Sequence, residues 1–314
     1  MTENLRDHGG GLDAAISQFG GDRATWIDLS TGINPVPYQI PDLPPDSWTA
    51  LPDVAAQHRL ETAARTLWSV PDDAALLAAP GASCLIAQIP GLAPSATVAI
   101  PGPTYNEHAA AFSHHGWQIA TSGPAQAQVL VHPNNPTGRY WSRADMSAPL
   151  TIIDESFCDV APDRSLMSSA TRPGTILLKS FGKFWGLAGL RLGFAIGDPA
   201  LIASLKDRLG PWPVSGPALH IAACALSDEE WANETRLRLS DDSTRLDDLM
   251  QRQGAKIVGG TSLFRLYEVG DAASWQNRLA EQHIWSRIFP YAAGWLRLGL
   301  PRPSDWPRIA AALS

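Results

Sequence analysis

Between residues 97 and 196 the chain alternates short β-rich runs with helical segments, and no other feature limits its possible folds as strongly. The strand candidates are 97–100, 129–132, 151–153, 175–178 and 192–196. Several are almost wholly apolar, as strands covered on both faces are. The alternation therefore predicts βαβ units around a mostly parallel sheet, an α/β fold. In such sheets ligand-binding residues gather just beyond strand ends. Upstream, the proline-rich stretch 34–52 breaks ladders and helices and reads as an extended connector. Apolar residues then recur at helical spacing over 53–68 behind Asp53, which predicts the first helix of the main body. A second hinge is expected at 210–217, GPWPVSGP. Helical patterns at 218–226 and 229–253 follow it, then a strand–helix–strand–strand–helix tail suited to a smaller α+β domain. The expected organisation is an N-terminal arm over 1–45, a large domain over 46–210 and a small domain over 211–314.

Composition narrows the function. Lys plus Arg number 24 against 31 for Asp plus Glu, a formal charge of −7, which argues against a nucleic-acid track or an anionic membrane surface as partner. No window approaches the ~18 to 20 apolar residues of a membrane span, and MTENLRDHGGG carries no apolar signal segment. The expectation is a cytoplasmic protein with no membrane and no nucleic-acid partner. Cys84, Cys158 and Cys224 show neither CxxC nor His–Cys ligand spacing, so they read as reduced filler and no metal site is expected. Small-molecule chemistry is left.

The strand ends carry PGAS (80–83), PGPTY (101–105), HPNNPTG (132–138), DESF (154–157) and KSFGKFWGLAGLRLG (179–193). Each alone is ordinary turn or cap chemistry. In this order and at these spacings they resemble the class I and II aminotransferase family of fold-type I pyridoxal-phosphate enzymes. The resemblance implies a large domain with a mostly parallel sheet, a smaller α+β domain, pyridoxal 5'-phosphate and a homodimer. That cofactor needs a lysine for covalent attachment, an acid for its ring nitrogen, an aromatic stack and a phosphate cradle.

The resemblance assigns Lys183 to attachment, with Ser180 three residues before it and Arg191 eight after. Asp154 ends the run TIID, where an unpaired buried charge is costly, and becomes the ring-nitrogen partner. Tyr105 is expected on the ring face and Asn135 on the ring 3' oxygen, while Asn134 shapes the turn. Gly81, Ala82 and Ser83 would lie at a helix N-terminus facing the cofactor phosphate, with Ser180 and Arg191 completing the grip. Arg297, flanked by Leu296 and Leu298 in a predicted strand, calls for an anion and takes the family's substrate-carboxylate role. Lys179 matches no family role and reads as structural.

Further features separate members of the family. Phe157 stands where many aminotransferases place a tyrosine. The segments 7–15 (DHGGGLDAA) and 26–35 (WIDLSTGINP), with Pro211, Trp212 and the short tail, are similar to the threonine-phosphate decarboxylases of cobalamin biosynthesis. That resemblance implies conversion of L-threonine O-3-phosphate, a phosphorylated amino acid, to (R)-1-amino-2-propanol O-2-phosphate and CO2, with His8 and Asn34 on the substrate phosphate. Histidinol-phosphate aminotransferase is the rival reading, weakened by Phe157 and the HGG start. One departure is Leu51 before Pro52, where relatives often place a tyrosine donated across the dimer. Another is a shortened segment between Ile119 and Val129.

Overall fold

The computed structural model describes residues 8–314; Asp7 and the rest of the first seven residues of the expected arm lie outside the described residues. By compactness the chain divides into a smaller unit (8–36, 136–138 and 235–314) and a larger one (37–135 and 139–234). The chain opens in the smaller unit with α1 (Leu12–Phe19) and β1 (Ile27–Asp28). The larger unit then runs α2 (Val54–Leu67), β2 (Ala75–Ala79), α3 (Ala82–Gln88), β3 (Thr97–Ala99), α4 (Asn106–His114), β4 (Gln118–Ala120), β5 (Ala127–Val131), β6 (Leu150–Asp154), β7 (Thr175–Ser180), β8 (Gly193–Gly197), α5 (Pro199–Leu209) and α6 (Gly216–Leu226). The division falls within α7 (Glu229–Arg252). Beyond it come β9 (Lys256–Thr261), β10 (Phe264–Glu268), α8 (Ala272–Ala280), β11 (Ile284–Trp285), β12 (Arg287–Phe289), β13 (Ala292–Gly299) and α9 (Trp306–Ala312).

The larger unit is built on a seven-stranded sheet in the order β2-β8-β7-β6-β5-β3-β4. β3 to β7 run parallel to one another, and β8 is antiparallel to both β7 and β2. Every residue of β5, β6 and β8 is buried, which is why these runs are apolar without alternation. Val98, Val129, Ile152, Ile176 and Leu178 pack with Leu85, Phe112, Ile202 and Leu205 of α3, α4 and α5. Each such side chain contributes roughly 1.5–3 kcal/mol when fully buried. The helices start where capping residues stand: Asp53 accepts from the Ala56 N–H at 2.6 Å, and Asp198 caps α5 ahead of Pro199.

The structure differs from the sequence reading in three places. The strands β2 and β4 have no clear signal: β2 is alanine-rich, and β4 is a three-residue edge strand with exposed side chains. Pairing with β8 and β3, rather than propensity, makes them strands. The tail holds five strands instead of three, because β11 and β12 are only two and three residues long. Finally, by compactness residues 37–45 and 211–234 go with the larger unit. The Tyr38 N–H donates to the Trp185 carbonyl at 2.9 Å, and the start of α6 approaches the Ser47 backbone so closely that a Cβ on Gly216 would lie 2.6 Å from its oxygen.

In the smaller unit β12-β13-β10-β9 form an antiparallel sheet, and β1 pairs in parallel with β11. Leu12 and Ala15 of α1 pack with Trp26 and Ala280, and Trp26 stacks on His283 at 4.9 Å. No described helix is long and apolar enough to cross a membrane.

The contact between β8 and the start of α3 admits no side chain at Gly193, where a Cβ would overlap the Ala82 amide nitrogen and stand 2.8 Å from the Gly81 carbonyl carbon. Gly193→Ala is expected to lower stability by about 1–3 kcal/mol through overpacking against backbone. The urea midpoint should fall accordingly; an unchanged midpoint would show that the contact yields freely.

Candidate active site

Nine of the residues singled out above line one cavity of the larger unit: Gly81, Ala82, Ser83, Tyr105, Asn135, Asp154, Ser180, Lys183 and Arg191. They arrive from the carboxyl ends of β2, β3, β5, β6 and β7 and from the segment entering β8, where a parallel sheet opens a crevice.

At one end, Gly81 adopts φ +90 and a Cβ there would stand 2.7 Å from Arg191 Nη2, so only glycine lets the guanidinium approach. Arg191 itself is left-handed, φ 52 and ψ 55, and its Nη1 donates to the Ala188 carbonyl at 3.1 Å. For a non-glycine residue this backbone costs roughly 1–3 kcal/mol, a strain typical of functional sites. The first amides of α3, at Ala82 and Ser83, carry no intrahelical acceptor. Together with the Ser83 and Ser180 hydroxyls and the Arg191 cation, this donor set fits a phosphate dianion.

Asp154 ends β6 and is 2% exposed. His108 Nε2 lies 2.8 Å from its Oδ2, while Ser156 donates to Oδ1 from its N–H at 3.0 Å and its Oγ at 2.5 Å. Burial pushes this carboxyl up, but the His108 bond and charge and the two Ser156 bonds outweigh it and hold Asp154 below the usual carboxylate range. A carboxylate kept anionic in this way suits a protonated ring nitrogen. Neither partner was picked from the sequence. The signals were present: His108 stands three residues after Tyr105, and Ser156 forms an Asx-type turn two residues after Asp154.

The two lysines are divided by their surroundings. Lys183 Nζ lies 5.4 Å from the Phe157 ring centroid in the cavity wall. Lys179, by contrast, is 2% exposed and bonds Glu155 Oε2 at 2.9 Å and Asp159 Oδ1 at 3.1 Å. Burial pulls its amine down, yet the two carboxylates outweigh that and hold it above an ordinary lysine, so it stays charged and engaged. Asn134 is likewise committed: its Oδ1 accepts from Thr104 Oγ1 at 2.6 Å and its Nδ2 donates to the Pro103 carbonyl at 3.0 Å. Asn135 is the one that lines the cavity.

Behind β6, His132, Glu155 and Cys158 bring ligand-type atoms within 4.8 Å of one another. Both His132 nitrogens are occupied, Nδ1 accepting from the Trp141 N–H and Nε2 donating to the Arg164 carbonyl. Glu155 accepts from Leu166, Ser165 and Lys179. These bonds tie loops to the sheet and leave no ring nitrogen for a metal.

His8, Asn34 and Arg297 belong to the smaller unit. Arg297 on β13 is buried and donates from Nη2 to the Ser30 carbonyl at 2.6 Å. It stands opposite Arg287 of β12. Burial, and then the Arg287 charge, push its guanidinium down to about 10, which leaves it a cation at neutral pH. Arg287 donates to the His8 carbonyl at 2.7 Å, and the Gly10 N–H donates to Ser30 Oγ at 2.6 Å. A Cβ on Gly9 would overlap the Ser30 carbonyl oxygen, which gives the HGG motif a packing reason. Asn34 is held by its own contacts: its Oδ1 accepts from the Val36 N–H at 3.0 Å and from Arg238 Nη2 at 2.7 Å. Arg287 and Arg238 escaped the sequence reading, since neither lies in a motif.

His108→Phe removes a donor from buried Asp154, at a cost of about 1–3 kcal/mol for a group left under-bonded. A carboxyl with a depressed folded-state pKa gives stability that is present above its unfolded pKa, about 3.9, and lost as pH falls through the folded value. The variant should therefore begin to lose stability at a higher pH than the wild type. Urea midpoints from pH 3 to 7 test this; superimposable acid limbs would mean that His108 does not hold the carboxylate.

Comparison with known proteins agrees with this geometry. Residues 119–313, more than half of the chain, match the family described as aminotransferase class I and II. The chain is 37% identical to a threonine-phosphate decarboxylase of Pseudomonas aeruginosa, over 98% of this chain and 97% of that protein. It is 38% identical to one from Sinorhizobium sp., with the same coverage. Among solved structures, histidinol-phosphate aminotransferase from Sinorhizobium meliloti in complex with pyridoxal-5'-phosphate superimposes with TM-score 0.80 at 21% identity, covering 96% of this chain and 92% of that one. The chain belongs to the class I and II aminotransferase family, has its fold-type I architecture and is a pyridoxal-phosphate enzyme.

Proposed function

We propose that the protein decarboxylates L-threonine O-3-phosphate to (R)-1-amino-2-propanol O-2-phosphate and CO2 in cobalamin biosynthesis. The observation that carries this reading is the near-full-length likeness to two threonine-phosphate decarboxylases. The histidinol-phosphate aminotransferase reading has a weaker likeness, 29% identity over 51% of this chain to one from Symbiobacterium thermophilum, and Phe157 in the cavity wall lacks the hydroxyl many aminotransferases present there.

Pyridoxal phosphate, when bound, supplies an electron sink for the pair released as a bond to the substrate Cα breaks. In the proposed assignment Lys183 attaches the cofactor and its amine later returns a proton to Cα. Asp154, kept anionic by His108 and Ser156, holds the ring nitrogen protonated. Tyr105 would cover a ring face and Asn135 would donate to the ring 3' oxygen. Gly81, Ala82, Ser83, Ser180 and Arg191 hold the cofactor phosphate. His8 and Asn34 take the substrate phosphate, and Arg297 its carboxylate. Holding both anionic ends of the substrate would restrict its rotation and favour loss of the carboxylate over loss of the Cα proton.

A homodimer and a cytoplasmic location complete the proposal. Ile40, Trp48, Leu51, Val54 and Trp212 of the larger unit are exposed, Trp48 at 76% and Leu51 at 67%. A run of large apolar side chains left in water favours cover by a second copy. Leu51 brings no hydroxyl to such an interface.

A decarboxylase needs no amino acceptor. Given threonine phosphate alone, the purified holoenzyme should release CO2 and aminopropanol phosphate over many turnovers per site. Product that stops at one turnover until 2-oxoglutarate is added, or reaction with histidinol phosphate only, would establish an aminotransferase instead.

A further inference from the structure

Lys183 sits in an irregular stretch between β7 and β8, and its position depends on what pins that stretch. The ends are closed by the Phe181 N–H donating to the Leu192 carbonyl at 3.1 Å, and a turn is made by the Gly186 N–H donating to the Lys183 carbonyl at 3.2 Å. Between them Trp185 is fully buried, stacked on Phe181 at 5.3 Å and 8° and on Trp231 at 5.3 Å and 16°. Stacking resists tilting of the ring but allows it to slide in its own plane. In that plane the ring meets Phe184 and Tyr38 edge-on, and the directional contact is a hydrogen bond from Trp185 Nε1 to Asp159 Oδ2 at 3.3 Å.

Asp159 is in turn held from its other oxygen. Its Oδ1 accepts from Lys179 Nζ and from Trp68 Nε1, each at 3.1 Å. Lys179 is the residue before Ser180, which lines the cavity, and its ammonium also bonds Glu155 at 2.9 Å, one residue after Asp154. One buried ion cluster thus ties together the ends of β6 and β7 and the stretch that carries Lys183.

We infer that Asp159, acting through the Trp185 indole and held by Lys179, is a positioning residue for the Lys183 amine. The structural role of Lys179 is then a specific one: its charge balances Asp159 and keeps the anchor in place. The inference rests on the reading that Lys183 attaches the cofactor.

Two indoles donate to the same carboxylate, and only Trp185 belongs to the Lys183 stretch. Trp185→Phe and Trp68→Phe therefore remove similar bonds with different consequences. Prepared as holoenzymes and then stripped, Trp185→Phe should recapture added pyridoxal phosphate about tenfold more slowly than wild type, followed by the absorbance of the bound cofactor. Its kcat should fall about tenfold, with KM changed less than about twofold. Trp68→Phe should change neither rate by more than about twofold. If Trp185→Phe does not fold, Asp159→Asn, which weakens acceptance while keeping shape, should show the same slowed capture. Equal behaviour of the two tryptophan variants, or wild-type capture by Asp159→Asn, would overturn the inference. Lys183→Ala tests the reading beneath it separately: a variant that still fixes cofactor on borohydride reduction would remove that reading, whatever Trp185 does.

Discussion

The buried carboxylate of Asp154 is the constraint around which the site is arranged. A charge at the end of a central strand, out of water, is tolerated only with partners. His108 and Ser156 supply three hydrogen bonds and keep it ionised. They leave a negative charge lining the cavity, which would suit a protonated pyridine ring. Without the donors from α4 and from the turn after β6, burial would push the same carboxyl up and weaken the hold on its charge.

Elsewhere the cavity is shaped by backbone freedom. Gly81 and Gly193 let Arg191 and β8 approach the start of α3 more closely than any Cβ allows. Arg191 accepts a left-handed backbone to bring its guanidinium there. Cationic and neutral donors and a fixed anion therefore line one cavity, a combination that fits a molecule with a phosphate and a protonated ring nitrogen. The neighbouring Lys179–Glu155–Asp159 cluster shows how a buried lysine a few residues from Lys183 is kept out of chemistry: it is bonded twice and held charged.

Much of this was legible in the sequence because each signal had a direct physical cause. Strands covered on both faces must be apolar throughout, so β5 to β8 declared themselves, and residues at strand ends fell together because a parallel sheet places them so. What escaped had no such local cause. β2 and β4 are strands by virtue of their neighbours, and the limits of the larger unit follow from Tyr38 and Ser47 packing against distant segments. His108 looked like one more helix residue until α4 turned it toward Asp154. Arg287 and Arg238 are isolated in sequence, and only sheet register and a helix 204 residues from Asn34 bring them to their partners. Long-range pairing of this kind leaves no period in the chain.

Of two lysines four residues apart, the protein bonds Lys179 into a buried ion cluster and Lys183 is proposed to carry the chemistry. Reducing the holoenzyme with borohydride, digesting it and mapping the peptide that carries the fixed cofactor separates the two. Label on Lys183 alone is expected. Label on Lys179, or on any other lysine, would overturn the assignment.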